Sequence, residues 1–170
     1  PDLHAVPLEY ERESGFFDLA YERVEIPEAG LALEAPISWP QLGLEPAWSP
    51  TGNGKQRIAV SWLNLTPTIK PEAILLPSRG LIVASTPIEL DWGGGRQYLV
   101  KRYGGGGVGR GALAPTLSVE IHTIVVLTDG EARWAYDLHA VAPTSEELVA
   151  LKPVYDRILR SSYLTTPRPD

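Results

Sequence analysis

Two histidines and two carboxylates recur at alternate positions near the end of the chain. Glu120 and His122 lie two residues apart, as do Asp137 and His139, and Asp129-Gly130 lies between the two pairs. If Asp129-Gly130 forms a two-residue hairpin turn, His122 lies opposite Asp137. The same count places Glu120 opposite His139. Because residues two apart on a strand share a face, all four side chains are expected on one face of the hairpin.

These four side chains, called the quartet below, offer two kinds of chemistry. Imidazole nitrogens and carboxylate oxygens ligate zinc and other divalent ions, and the same groups can orient a water molecule as base and acid. The alternative is two cross-strand ion pairs on a solvated face, each contributing about 0.2–1 kcal/mol. We favour the ion pairs, because four ligands on flat strands rarely converge tetrahedrally. A divalent metal is therefore a hypothesis, and no other cofactor is predicted.

A glycine-rich loop follows the third predicted strand pair. Gly104, Gly106 and Gly109 match the dinucleotide-binding pattern G-x-G-x-x-G. That pattern binds a cofactor only between a parallel strand and a helix, and here a strand follows, so we expect a hairpin loop. Arg102 and Arg110 flank the loop and could meet an anion on a ligand or partner surface, although we favour a solvated role for both.

The tryptophans divide into two groups. Trp62 and Trp134 lie on apolar strand faces and are predicted in the core. Trp39, Trp48 and Trp92 lie near turns, where exposed indoles would line a ligand or partner surface such as a small-molecule groove. A structural role at the sheet ends is the alternative for these three.

Composition excludes several function classes. A net charge of -6 over 170 residues argues against a nucleic-acid binder, which needs a basic face. No apolar run approaches the roughly 18 residues of a membrane span. The chain contains no Cys, so disulfides, thiolate metal sites and cysteine nucleophiles are absent from it. No G-x-S-x-G elbow is present either, and we predict a protein that is not an enzyme.

Strand pairs joined by turn signals make up most of the chain, with a single helical turn predicted near residues 72–76. Pro87 within one strand predicts an edge or a bulge. The predicted pairs, each with its turn, are 17–26 and 31–35 around 27–30, 44–49 and 56–65 around 51–54, 81–92 and 96–103 around 93–95, and 115–128 and 131–141 around 129–130.

A helix closes the sequence. Thr144 and Glu147 form a capping box, and Pro153 should kink the helix or begin a second one. These elements predict an α+β fold, an antiparallel β-sheet sandwiched by a few helices with the C-terminal helix packed on the sheet. We expect a flexible arm over residues 1–15, one domain over 16–164 and a disordered tail over 165–170. The apolar stripe of the helix is Leu148, Leu151, Tyr155, Ile158 and Leu159.

Short motifs in order along residues 20–163 resemble those of PsbP-like domains. Tyr163 stands where the family has Phe, and the long glycine run is a larger departure. The matching motifs are Pro36-Ile37-Ser38-Trp39, Gly95-Arg96-Gln97-Tyr98, the 125–138 hairpin with Tyr136 followed by Ala142-Pro143, and Ile158-Leu159-Arg160-Ser161-Ser162-Tyr163.

This resemblance implies the PsbP/MOG-type fold and a binding or assembly role rather than catalysis. Members of the family include an extrinsic photosystem II subunit, a Ran-binding protein and bacterial envelope lipoproteins. We therefore expect a non-enzymatic accessory domain that is exported or anchored in the cell envelope and assists a protein partner. The alternatives are a metal-binding protein or metal-dependent hydrolase using the quartet, and a small-molecule binder with a Trp-lined groove.

Overall fold

A computed structural model describes residues 19–43, 46–66, 68–77, 79–104, 116–129 and 131–165. The predicted arm over 1–15, most of the predicted tail and Arg110 lie outside these residues. The strands are β1 (Tyr21–Ile26), β2 (Leu31–Pro36), β3 (Ala47–Trp48), β4 (Arg57–Leu65), β5 (Gly80–Leu90), β6 (Gly93–Tyr103), β7 (Thr116–Asp129), β8 (Ala132–Ala142) and β9 (Tyr163–Leu164). The helices are α1 (Pro71–Leu75) and α2 (Ser145–Ser161).

The described strands form two antiparallel sheets. The larger has six strands in the order β3-β4-β8-β7-β6-β5, and the smaller has three in the order β1-β2-β9. All neighbouring strands are antiparallel. The predicted α+β fold with a C-terminal helix on the sheet is thereby confirmed. Because β6 pairs antiparallel with β7, the glycine-rich loop between them does not have the βαβ setting of a dinucleotide site.

Helix α2 covers one face of the large sheet. Every residue of its predicted apolar stripe is buried, and the helix packs against β8 and β2. The capping box is present, since Thr144 Oγ1 accepts a hydrogen bond from the Glu147 amide at 3.2 Å. Pro153 lies inside one helix, so the alternative of a second helix beginning there was wrong. Burial of this stripe against β8 supplies the main apolar core.

The turn between β5 and β6 differs from the prediction. Leu90 pairs with Gly93, so Asp91-Trp92 forms the turn and the predicted glycines 93–95 lie inside β6. Gly95 is needed there because a Cβ would lie 2.1 Å from the Ile124 carbonyl oxygen of β7. The glycine run therefore permits close strand approach rather than chain reversal.

Candidate functional site

The quartet lies on the face of the large sheet that is opposite α2, although its register differs from the prediction. Asp129 pairs with Ala132, so His122 faces His139 rather than Asp137. The predicted pairing of Glu120 with His139 was wrong for the same reason. Moving the turn by one residue displaces each cross-strand partner by two positions, which keeps every side chain on its expected face. All four side chains therefore lie on one face in the observed register as well.

His122 lies between two carboxylates. Its Nδ1 lies 2.8 Å from Asp137 Oδ2, and its Nε2 lies 3.0 Å from Glu120 Oε1. All three side chains are buried, with relative exposures of 1–3%. Because each ring nitrogen faces an acceptor, this geometry fits an imidazolium that donates both of its N–H groups. The expectation of ion pairs on a solvated face was wrong, since these charges are buried.

The charges of this network set its protonation. Burial alone would lower the pKa of His122, but hydrogen bonds and charges from Asp137 and Glu120 outweigh it and raise that pKa to about 9. Burial alone would raise the pKa of Asp137, yet His139 and His122 hold it below its usual value. Burial has the same effect on Glu120, whose pKa is nevertheless lowered by His122, Ser118 and Arg102.

Two residues that were not predicted as members of the quartet bind Glu120. Arg102 Nε lies 3.1 Å from Glu120 Oε2, and Ser118 donates to the same oxygen at 2.8 Å. Arg102 reaches the quartet because it faces Ser118 across the β6–β7 pair. Its predicted solvated role was wrong in part, since the side chain is 41% exposed yet bound to a buried carboxylate. Strand alternation in β6 was the signal that could have placed it on this face.

His139 is the most accessible member of the quartet. Its ring stacks on His122 with centroids 5.0 Å apart and planes 17° from parallel. Its Nδ1 lies 3.4 Å from Asp137 Oδ2. Among the described residues, neither His139 Nδ1 nor Asp137 Oδ1 makes a hydrogen bond, although both atoms are buried. Three buried polar atoms of the site, these two and Arg102 Nε, therefore lack a hydrogen bond within the described residues, although Arg102 Nε and His139 Nδ1 each lie in an ion pair.

Helix α1 covers the sheet face that carries the quartet. A cleft of ≈ 450 Å³ separates the quartet from Ala73–Pro77 and is also lined by Arg57, Ser61 and Arg102. The Tyr98 hydroxyl, on the same sheet face, donates to Glu72 Oε1 at 2.8 Å and ties α1 to β6. Coverage by α1 explains why this polar sheet face is buried. The predicted helical turn near residues 72–76 thus has a positioning role that the sequence did not reveal.

His122 is poorly arranged for acid–base catalysis as it stands. Both nitrogens of His122 are engaged by carboxylates, so the ring has no free lone pair with which to accept a proton. Metal ligation is a better match, because one donor atom each from His122, Asp137 and His139 lie within 4.8 Å of one another. Glu120 does not belong to this set of converging donors.

The tryptophans do not form the expected exposed groove. Trp39 and Trp48 are buried in the main core, with exposures of 6% and 4%. Trp92 is half-buried, and its indole N–H donates to Ser162 Oγ at 2.9 Å. Its ring also contacts Tyr136 edge to face. The expectation of accessible indoles at Trp39 and Trp48 was therefore wrong.

A second candidate surface is the free edge of the large sheet. Within the described part of the chain, β5 has a strand neighbour, β6, on one side only. Three consecutive apolar side chains on it are solvent-exposed, Leu81 at 56%, Ile82 at 48% and Val83 at 48%. Pro87 lies in the same strand, which confirms the expected edge position. Exposed apolar edge strands are sites where other chains add a strand.

Together the fold and these two features define an α+β protein with a buried ion network on one sheet face and an apolar strand at the sheet edge. No family model matches the chain, and no curated protein matches it. Solved structures do match, and they show the fold. They include the Ran-binding protein Mog1p of Saccharomyces cerevisiae, with 10% identity and a TM-score of 0.57 over 87% of this chain and 97% of that chain.

Two further structures agree with this likeness. LpqN of Mycobacterium tuberculosis, which is involved in cell envelope biogenesis, is 15% identical with a TM-score of 0.58 over 95% of this chain and 98% of that chain. A mutant form of the protein Mog1 is 11% identical with a TM-score of 0.56 over 86% of this chain and 97% of that chain. The chain thus has the PsbP/MOG-type fold that the sequence motifs implied. No helix in the described residues is long and apolar enough to cross a membrane.

Proposed function

We propose that this chain is a non-enzymatic accessory domain of PsbP-like type that binds a protein partner along β5. The observation that carries the proposal is the exposed apolar run Leu81–Val83 on a strand with an open edge. Such an edge offers unpaired backbone N–H and C=O groups to an incoming strand, while the flanking side chains add apolar contact. The occupant that fits is an extended, apolar segment of another protein.

The structural neighbours support this class of function. Mog1p is a Ran-binding protein, and LpqN is involved in cell envelope biogenesis. Both ring nitrogens of His122 in this chain are occupied by carboxylates. A binding role accounts for the exposed edge strand without requiring chemistry from the buried network.

Site-specific photo-crosslinking in the native cell tests the proposed surface. A photoreactive residue at Ile82 should give a discrete adduct with a different protein, and the same residue at exposed Glu22 on the other sheet should not. The adduct formed from position 82 should disappear when Leu81→Asp is added. Equal adducts from positions 82 and 22, or an adduct only with a second copy of this chain, would contradict the proposal.

We also propose that the domain acts outside the cytoplasm, in the cell envelope. The support is the likeness to LpqN, a protein of cell envelope biogenesis whose structure aligns with nearly all of this chain. Fractionation of cells expressing the complete gene should recover the protein with the envelope or the extracytoplasmic fraction. Recovery in the cytoplasmic fraction alone would contradict this location and leave the partner surface to its own test.

A further inference from the structure

We propose that His122, Asp137 and His139 form a zinc-binding site with three protein ligands, and that Glu120 orients His122 rather than ligating the metal. The two imidazoles and one carboxylate supply nitrogen and oxygen donors of the kind that zinc selects over calcium or magnesium. The site is independent of the proposed partner surface on β5. It also narrows the original quartet to three ligands and one supporting residue.

The spacing of the donor atoms supports this ligand set. Asp137 Oδ2 lies 2.8 Å from His122 Nδ1 and 3.4 Å from His139 Nδ1, so both ring nitrogens already converge on one carboxylate oxygen. Ligands bound tetrahedrally at about 2.0–2.1 Å lie roughly 3.3 Å apart. The donors therefore need small movements to surround an ion, and no change in strand register.

Two unused polar atoms form a second, independent observation. Asp137 is 1% exposed, and its Oδ1 makes no hydrogen bond within the described residues. His139 Nδ1 is also buried and without a hydrogen bond in that part of the chain. Buried polar groups are normally satisfied, and an ion bound between these residues would bond to His139 Nδ1 and to the Asp137 carboxylate that carries the unused oxygen.

Glu120 fits the role of an outer carboxylate. A metal bound at His122 Nδ1 leaves Nε2–H free to donate to Glu120 Oε1, which already lies 3.0 Å away. This carboxylate–histidine–metal arrangement fixes the tautomer and orientation of the ring. The proton on His122 Nδ1 leaves to solvent when the ion binds, because only a neutral imidazole nitrogen ligates.

The surroundings allow entry of an ion and one further ligand. The cleft under α1 reaches all three proposed ligands and is also lined by Arg57 and Ser61 of β4. Arg102 pairs with Glu120, so its guanidinium charge is already neutralised by a residue outside the ligand set. Three protein ligands leave a fourth tetrahedral position that faces the cleft.

Calorimetric titration of the chelator-treated protein with ZnCl2 tests the proposal. One ion per chain should bind, MgCl2 should give no comparable heat, and Co²⁺ in place of zinc should show the visible absorption of a tetrahedral complex. His139→Ala should abolish this binding, and Glu120→Gln should weaken it about 10–100-fold. His139→Ala is the first choice because it leaves the paired Glu120, His122 and Asp137 intact.

His4→Ala is the matched control, since it removes the remaining imidazole of the chain. It should bind zinc as the unmodified protein does, and circular dichroism should show that both histidine variants are folded. Absence of zinc binding by the unmodified protein, or unchanged affinity in folded His139→Ala, would overturn the proposal. Loss of binding in His4→Ala would overturn it equally, because the ion would then lie elsewhere.

Discussion

The two faces of the large sheet are both buried, but they are buried by different chemistry. The face under α2 is mainly apolar, and Tyr136 and Leu138 of β8 share its core with Leu151 of the helix. The face under α1 holds His122 and its two carboxylates. Apolar burial stabilises in proportion to area, whereas buried charges are tolerated only when they are paired. Substitutions on the face under α2 should therefore lower stability in proportion to the area lost. Removal of one charged residue from the face under α1 should lower it sharply.

Removing one charge of the network should give the largest effect. His122→Leu keeps an apolar side chain in place but removes the cation between the two buried carboxylates, which leaves Glu120 with Arg102 alone and Asp137 with His139 alone. We expect a loss of about 3–5 kcal/mol in the free energy of unfolding, measured by urea denaturation. The matched control replaces all three residues by Leu, which removes the unpaired charges and should cost less than the single change. A single-variant loss below about 1 kcal/mol would contradict the account of this face.

Truncating a buried side chain on the face under α2 should lower the free energy of unfolding by a comparable amount, but through a different mechanism. Leu151 is fully buried, and Leu151→Ala should cost about 2–5 kcal/mol through lost contacts and a cavity. Ile74→Ala, on the exposed side of α1, should change stability by less than about 0.5 kcal/mol. Because Leu151 and His122 lie on opposite faces, their effects in a double variant should add within about 0.5 kcal/mol. A larger coupling energy would mean that the two faces are not independent.

The pH dependence of stability should belong to the charged face alone. The pKa of His122 rises from 6.5 to about 9 on folding, so its contribution is complete below about pH 6.5 and is lost as pH rises through about 9. Glu120 and Asp137 have lowered pKa values, so their contributions are lost as the solution becomes strongly acidic. Thermal unfolding of the metal-free protein across this range should show both losses.

The variants distinguish the sources of this profile. Leu151→Ala should lower stability at every pH and keep the loss between about pH 6.5 and 9, because it leaves the charges in place. His122→Leu should remove that alkaline loss. If the loss persists in His122→Leu, another group is responsible and the assignment to this imidazole is wrong.

A smaller effect is expected at the start of α2. Thr144→Ala removes the hydroxyl that caps the Glu147 amide and should cost about 1 kcal/mol in the free energy of unfolding. Thr144→Ser keeps the hydroxyl and should retain most of the stability. Equal losses in the two variants would show that the cap does not support the helix face.

The apolar face was predictable from sequence because its signal is periodic. The helical stripe and the alternation in β7 and β8 identify which side chains are buried, whatever turn joins the strands. The exact register was not predictable, since reversal one residue beyond Asp129-Gly130 leaves the same side chains on the same face. The periodicity of the sequence predicts which face of the sheet a side chain occupies. Its cross-strand partner can be predicted only when the geometry of the turn is known.

The charged face was predictable only in part. Strand alternation placed Glu120, His122, Asp137 and His139 together, but nothing local indicated that α1 would cover them. The place of Arg102 beside Glu120 was not predicted because it depends on how β6 pairs with β7, a contact between distant parts of the chain. The turn predicted at glycines 93–95 was wrong for a related reason, because these glycines allow β6 to lie close to a neighbouring strand.

The pKa of His122 in the folded, metal-free protein shows whether this ring is a buried imidazolium. NMR titration of the imidazole resonances should give a value of about 9, with both ring N–H groups present at neutral pH. A value at or below 6.5, with one ring nitrogen unprotonated at neutral pH, would contradict the account of a buried imidazolium held between Glu120 and Asp137.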